Sequence, residues 1–150
     1  MNLRLMTKIE YDEYLNQSIQ GYANELITSG IVEQDKAMQQ SKSTFESLLP
    51  KGINTENHYL YYAYDQDVRV GFIWYGFRNQ HDAFIFDFFI DESMRRKGYG
   101  KKVLKACEDD AKNKGAKTIG LHVFGHNHGA RLLYESTGYV ATSIQMRKDL

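Results

Sequence analysis

Two stretches of this sequence combine residue types that could do chemistry. The first is Arg95-Arg96-Lys97-Gly98-Tyr99-Gly100-Lys101-Lys102, five basic side chains around two glycines. Gly98 and Gly100 let a backbone approach a ligand with no Cβ in the way. If a helix opens here, its first amides lack intrahelical partners and its dipole is positive at that end. Such a turn suits a pyrophosphate better than a single carboxylate. It is neither a P-loop, which needs G-x-x-x-x-G-K followed by Ser or Thr, nor the G-x-G-x-x-G dinucleotide fingerprint. The second stretch, Asn127-His128-Gly129-Ala130-Arg131-Leu132-Leu133-Tyr134, ends in a phenol. A phenol titrates near 10, so it can donate a proton at neutral pH, and nearby positive charge would lower its pKa. Asp87 stands among Phe86, Phe88 and Phe89. Burial there would raise its pKa and suit it to accept a proton; the other reading is a structural carboxylate bonded to a backbone amide or an arginine.

Other groups weigh less. His122, His126 and His128 straddle a strand end and a helix start, and no cysteine or carboxylate near them in sequence completes a ligand set, so no metal is expected. Cys107, the only cysteine, falls on an apolar helical face with Val103, Leu104 and Ala111 and reads as a buried thiol. It allows no disulfide within the chain, which fits a reducing compartment. The N-terminus has no apolar run of signal-peptide or membrane-span type. A soluble cytoplasmic protein is expected, with no membrane partner. Lys plus Arg equals Asp plus Glu, 19 each. A duplex-binding domain usually carries a basic excess, so no nucleic-acid partner is expected and the basic cluster serves something small and local.

The elements that must position these residues follow from pattern. "LRLMT" alternates as a first strand. Thr7-Lys8-Ile9-Glu10 fits a capping box, and Leu15, Ile19, Tyr22 and Leu26 continue a helix that stops at Gly30. A second helix spans about 35–49. "HYLYYAYD", "VRVGFIWYGF" and "DAFIFDFFID" are rich in aromatic and β-branched residues between polar turns, which predicts an antiparallel meander. A helix follows Gly100 and ends near Gly115. "KTIGLHVF" predicts another strand, and Asn127 caps a short helix ending at Gly138. "YVATSIQMRKDL" predicts a last strand. The order is β-α-α-β-β-β-α-β-α-β in one domain over 1–150, an α+β fold.

Arg95-x-x-Gly98-x-Gly100 directly follows "FDFFIDES", and Asn127-x-x-Ala130-x-x-x-Tyr134 comes in the next helix but one strand later. These paired motifs, on this order of elements, resemble the GNAT superfamily of acyl-CoA-dependent N-acetyltransferases over nearly the whole chain. Its pattern is Arg or Gln-x-x-Gly-x-Gly or Ala for the CoA pyrophosphate, then Asn-x-x-Ala-x-x-x-Tyr. Two positions depart: many members have proline where Glu92 stands and glycine where Arg96 stands.

The resemblance implies a largely antiparallel mixed sheet flanked by helices, with splayed fourth and fifth strands, and transfer of an acetyl group from acetyl-CoA to a primary amine of a small molecule or peptide. Backbone amides from Arg96 through Lys97, Gly98, Tyr99 and Gly100 to Lys101 would hold the pyrophosphate, with the Arg95 and Lys101 side chains nearby. Phe88, Phe89 and Ile90 would pair with the pantetheine arm, Phe88 or Phe89 N–H facing the thioester oxygen. Asn127 would contact the pantetheine or cysteamine part. Tyr134 would protonate the leaving thiol, and Asp87 is one candidate base, with Glu25, Glu33 and Glu56 as others. Tyr22, Trp74, Tyr75 and Phe77 are candidates for an acceptor pocket. A homodimer is compatible with the resemblance, its interface unspecified. A non-catalytic CoA-binding sensor or interaction domain would keep the cradle without turnover.

Overall fold

The computed structural model describes all residues, 1–150. A five-stranded sheet runs in the order β1(Asn2–Leu5), β2(His58–Asp65), β3(Val68–Phe77), β4(Asp82–Ile90), β5(Thr118–Leu121). All neighbours are antiparallel except β4 and β5, which are parallel. The helices are α1(Lys8–Ser29), α2(Gln34–Leu48), α3(Tyr99–Asn113) and α4(His128–Ser136). Short 3₁₀ turns at Gly52–Asn54 and Glu92–Met94 were not foreseen from the sequence. No helix is long and apolar enough to cross a membrane.

The local signals explain where elements begin. Thr7 accepts from the Glu10 amide while Glu10 reaches back to the Thr7 amide, so two orphan donors of α1 are satisfied together. Gly30, at φ +72, ends that helix in the left-handed conformation glycine adopts without strain. The strand β5 is shorter than its sequence pattern, stopping at Leu121.

Alternation on the strands divides the apolar side chains between two layers. Tyr61, Ala63, Ile73, Tyr75, Ala83 and Ile85 pack against Val103, Leu104, Cys107 and Ala111 of α3. Leu60, Tyr62 and Trp74 pack against Tyr11 and Tyr14 of α1 and Phe45 of α2. Cys107 is fully buried and burial pushes its thiol pKa up, as expected of a structural thiol. Asp110 of α3 accepts from Tyr61 Oη at 2.8 Å and Tyr75 Oη at 2.7 Å and pairs with Lys114. Burial alone would raise its pKa; the bonds from Lys114, Tyr75 and Tyr61 outweigh that and hold it below the usual carboxylate range. Tyr75 and Phe77 therefore belong to the α3 layer, away from α1, and Trp74 is fully buried against Phe45. Of the four aromatic residues considered for a pocket, only Tyr22 keeps a partly open surface on the α1 side.

The order agrees with the sequence through α4. Residues 139–150, expected as a last strand, form none. A strand exists by its ladder, and no backbone amide or carbonyl from 140 to 150 has a backbone partner in this chain.

Candidate functional site

The site is built around an interruption in β4. Trp74 pairs with Asp87 but Tyr75 pairs with Ile85, so Phe86 is an extra, bulged residue. A bulge shifts the alternation by one. Phe86 and Asp87 therefore both face α1: Phe86 stacks on Trp74 at 4.9 Å, and Tyr14 of α1 donates to Asp87 at 2.7 Å. Phe88 then faces the opposite layer, 6.4 Å from the Tyr134 ring. The parallel ladder between β4 and β5 runs only from Asp82↔Thr118 to Ile85↔Leu121. Beyond it, Phe86 to Ile90 have no neighbour on the β5 side. This is the splay expected of the fourth and fifth strands, and it begins at the bulge.

At the open end of β4 the chain turns through Glu92–Met94 into α3. Gly98 is the N-cap of that helix at φ +81, a conformation that strains any L side chain. The amides of Arg96, Lys97, Gly98, Tyr99, Gly100 and Lys101 donate to no backbone carbonyl; the first helical bond is Lys102 N–H to Gly98 at 3.4 Å. Six consecutive free amides at a helix N-terminus form a ready anion cradle. Arg96 also takes a left-handed φ of +59, where glycine would be unstrained. Its side chain is exposed. Arg95 is already engaged: its Nε donates to the Ile90 carbonyl at 3.0 Å and its guanidinium lies 4.9 Å over the Phe89 ring. It fastens the end of β4 to the turn. Lys97 donates to the Ser93 carbonyl at 2.8 Å, which leaves Lys101 as a cradle-side cation with no bonded partner. Tyr99 donates to Asp65 at 2.8 Å and pins the start of α3 to β2.

Asn127 caps α4, its Oδ1 accepting from the Ala130 amide at 3.3 Å, so only its NH₂ is left to donate. Tyr134, about two helical turns further, is partly buried against Phe88 and Tyr139 and its hydroxyl bonds nothing in the chain. Its pKa is pushed up to about 12, first by burial and then by the charge of Asp87. The sequence suggested lowering by positive charge; the nearby charge is negative, and the cationic cluster lies around the turn. The phenol is therefore fully protonated at neutral pH.

Asp87 is half-buried, and desolvation pushes its pKa up to about 6 despite bonds from Tyr14, Ser18 and the Phe88 amide. It is neither paired with an arginine nor free; its partners are two hydroxyls of α1 and the backbone amide of Phe88. The raised value has a stability consequence. The folded state holds this proton more tightly than the unfolded chain, so this group's contribution is greatest below pH 4 and is lost as pH rises to about 6. Above that, the partly desolvated charge costs at most about 3 kcal/mol for a shift of about two pH units. Asp87→Asn keeps an acceptor for Tyr14. It is expected to unfold at higher urea than the parent at pH 8, with the gap narrowing toward pH 4; a variant less stable at pH 8 contradicts this account.

The histidines gain a partner that sequence proximity did not reveal. His126 pairs with Glu25 of α1, 101 residues away. Phe124 stacks on His126 at 5.5 Å and meets Tyr22 at 6.2 Å, so α1 and the segment after β5 touch across the α1 face of the splay.

The chain thus combines a β4 edge left unpaired beyond its bulge, a helix N-terminus with free amides, and a capping Asn followed by a half-buried Tyr. The Acetyltransferase (GNAT) family model matches residues 20–139. The chain belongs to the GNAT acetyltransferase family. It is 36% identical to the N-acetyltransferase YdgE of Bacillus subtilis over 149 residues, which covers 97% of this chain and 95% of YdgE. The crystal structure of the acetyltransferase YycN from the same organism superposes with a TM-score of 0.95 at 37% identity, over 99% of this chain and 98% of that one. An aminoglycoside N-acetyltransferase solved with CoA shares the fold at 17% identity and a TM-score of 0.61, over 99% of this chain and 100% of that one. This protein is thus a GNAT N-acetyltransferase by family and by fold.

Proposed function

We propose that this GNAT protein moves the acetyl group of acetyl-CoA directly to a primary amine of a small molecule or peptide in a ternary complex. The observation that carries the reading is the run of six free amides at α3, set against the unpaired edge of Phe86–Ile90. A pyrophosphate on the first would lead its pantetheine arm along the second, where strand amides can bond it as an added strand does. The family's use of acetyl-CoA supports this donor. Arg96 and Lys101 add charge at the cradle, and the Asn127 NH₂ is free for an amide carbonyl of the arm.

The splay is also where the two layers of the sheet meet. Tyr134 approaches from the α4 side and Asp87 from the α1 side, close enough for the Asp87 charge to raise the phenol pKa. A thioester in the gap would lie between them. The amine nitrogen attacks the carbonyl carbon, and the Phe88 N–H, exchanging its bond to Asp87, or the Phe89 N–H stabilises the oxyanion. The C–S bond then breaks, the departing sulfur takes the Tyr134 proton, and the proton lost by the attacking nitrogen as the amide forms restores the phenol. An alkylammonium must first lose a proton. Asp87, with a pKa of about 6, is mostly ionised at pH 7.5 and can accept it through water. The acceptor enters over the partly exposed Tyr22 and Phe124.

Purified protein with acetyl-CoA and a panel of amines tests this, with free thiol as the readout. Amine-dependent thiol release is expected. Absence of both release and acetyl-CoA binding across the panel overturns the reading.

A further inference from the structure

Glu10, Asp12, Glu13 and Glu25 are the carboxylates of α1. Glu10 is matched by Arg4 and Asp12 by Lys8. Glu25 pairs with no lysine or arginine. One of its oxygens accepts from the His126 ring across the α1 face of the splay, and the other bonds nothing in the chain. The Glu25 and His126 side chains are 43% and 32% exposed, and an ion pair so open to water adds little to stability. Stability therefore does not explain why this carboxylate is held where it is.

Its position does. Ser18, Tyr22 and Glu25 follow at spacings of four and three, so they share one face of α1. Ser18 bonds Asp87 at the reacting end of the splay. Glu25 stands two turns later, on the order of 10 Å along the helix axis. Between these points lie the rings of Tyr22 and Phe124, with centroids 6.2 Å apart, and Phe124 stacks on His126 at 5.5 Å. The surface thus runs from carboxylate to aromatic pair to carboxylate. Ring faces attract cations and pack against methylenes, and carboxylates bond ammonium groups.

We infer that the acceptor is an amine with a second cationic group at the far end of an aliphatic chain, and that Glu25 is the specificity residue that holds this group while the first nitrogen reacts. The inference rests on acetyl transfer at the splay, as proposed above. His126 fixes the carboxylate by bonding one oxygen, and the second ammonium bonds the other. The chain between the two nitrogens lies over Tyr22 and Phe124. Two turns of helix from the Ser18–Asp87 contact, Glu25 binds the acceptor and does not serve as its base. A carboxylate at the far end of an acceptor is rejected by like charge.

Calorimetric titration of the full chain with diaminooctane and with octylamine, equal in chain length, tests this without turnover. Diaminooctane is expected to bind about 5- to 10-fold more tightly, the scale of one half-exposed charged hydrogen bond. Glu25→Gln keeps an acceptor for His126 and is expected to abolish the preference at an unchanged melting temperature. Equal affinities in the parent overturn the proposal, and so does a preference that survives Glu25→Gln. A variant that slows acetylation of both amines alike makes Glu25 a base and also overturns it. If the variant does not fold, chain length decides in the parent. Diaminopropane, too short to span from Asp87 to Glu25, is expected to gain nothing over propylamine; an equal gain at both lengths overturns the proposal. Acetyl transfer without the diamine preference removes this inference alone. The preference without transfer supports the dication site and removes the reaction instead.

Discussion

Tyr134→Phe is expected to lower kcat about 10²- to 10⁴-fold, the usual span for losing a positioned general acid, with the affinity for acetyl-CoA unchanged. The reason lies in what the substitution leaves alone. The Tyr134 hydroxyl bonds nothing in the chain, while its ring packs on Phe88 and Tyr139. Phenylalanine preserves that packing, so the melting temperature should hold. Only the proton is lost. With a pKa of about 12 the phenol is protonated throughout the neutral range, so it is a donor and not a base. A CoA thiolate without a donor is a poorer leaving group. Steady-state kinetics alongside calorimetric titration of acetyl-CoA check this. A kcat within a few-fold of the parent would falsify the role, and an equal loss of affinity would reassign Tyr134 to donor binding.

Gly71→Ala is expected to destabilise the fold by about 3 kcal/mol or more, at the upper end for steric overpacking. A Cβ at this position would land on the Phe89 carbonyl oxygen, far inside contact distance, and 3.0 Å from the Ile90 Cα. These are backbone atoms and cannot rotate aside. The β3–β4 ladder must therefore open at Gly71↔Ile90, the end of β4 that leads into the anion cradle. Urea titration gives the loss, and the surviving folded protein should also bind acetyl-CoA more weakly. Gly120→Ala is the control. Its Cβ would meet the Phe84 ring at 3.5 Å, an ordinary contact, and a change below about 1 kcal/mol is expected. Equal losses at the two sites would sink the steric argument.

Much of this was legible in the sequence, for reasons that differ by residue. The cap at Thr7 and Glu10, the stop at Gly30 and the cap at Asn127 are local: each depends on partners three to four positions away, and each forms as read. The cradle is local too, because free amides follow from a helix start after Gly98. The bulge at Phe86 was not legible. In "DAFIFDFFID" the run Ala83–Phe86 leading to the slip is apolar on both faces, so its alternation has no contrast to show it, and the partner that turns Asp87 toward α1 is Tyr14, 73 residues away. The Glu25–His126 pair was missed for the same reason. The double role of Arg95 was hidden because its basic charge suggested an anion, whereas in the fold it bonds the carbonyl end of its own strand. The alternation of residues 139–150 was legible, but they form no strand in this chain, since amphipathic alternation does not supply the edge a ladder needs.

The two fastenings of α3 have a consequence for ligand thermodynamics. Tyr99 bonds Asp65 at the start of the helix, and Asp110 collects Tyr61 and Tyr75 three turns later. The helix that presents the cradle is thus clamped to β2 and β3 along its length, before any ligand arrives. Ordering a loop around a polyanion normally subtracts from the affinity it gains. Here that entropic loss has been met during folding, so the anion meets a rigid receptor. Loosening either clamp would weaken donor affinity from a distance, through disorder rather than through any lost contact.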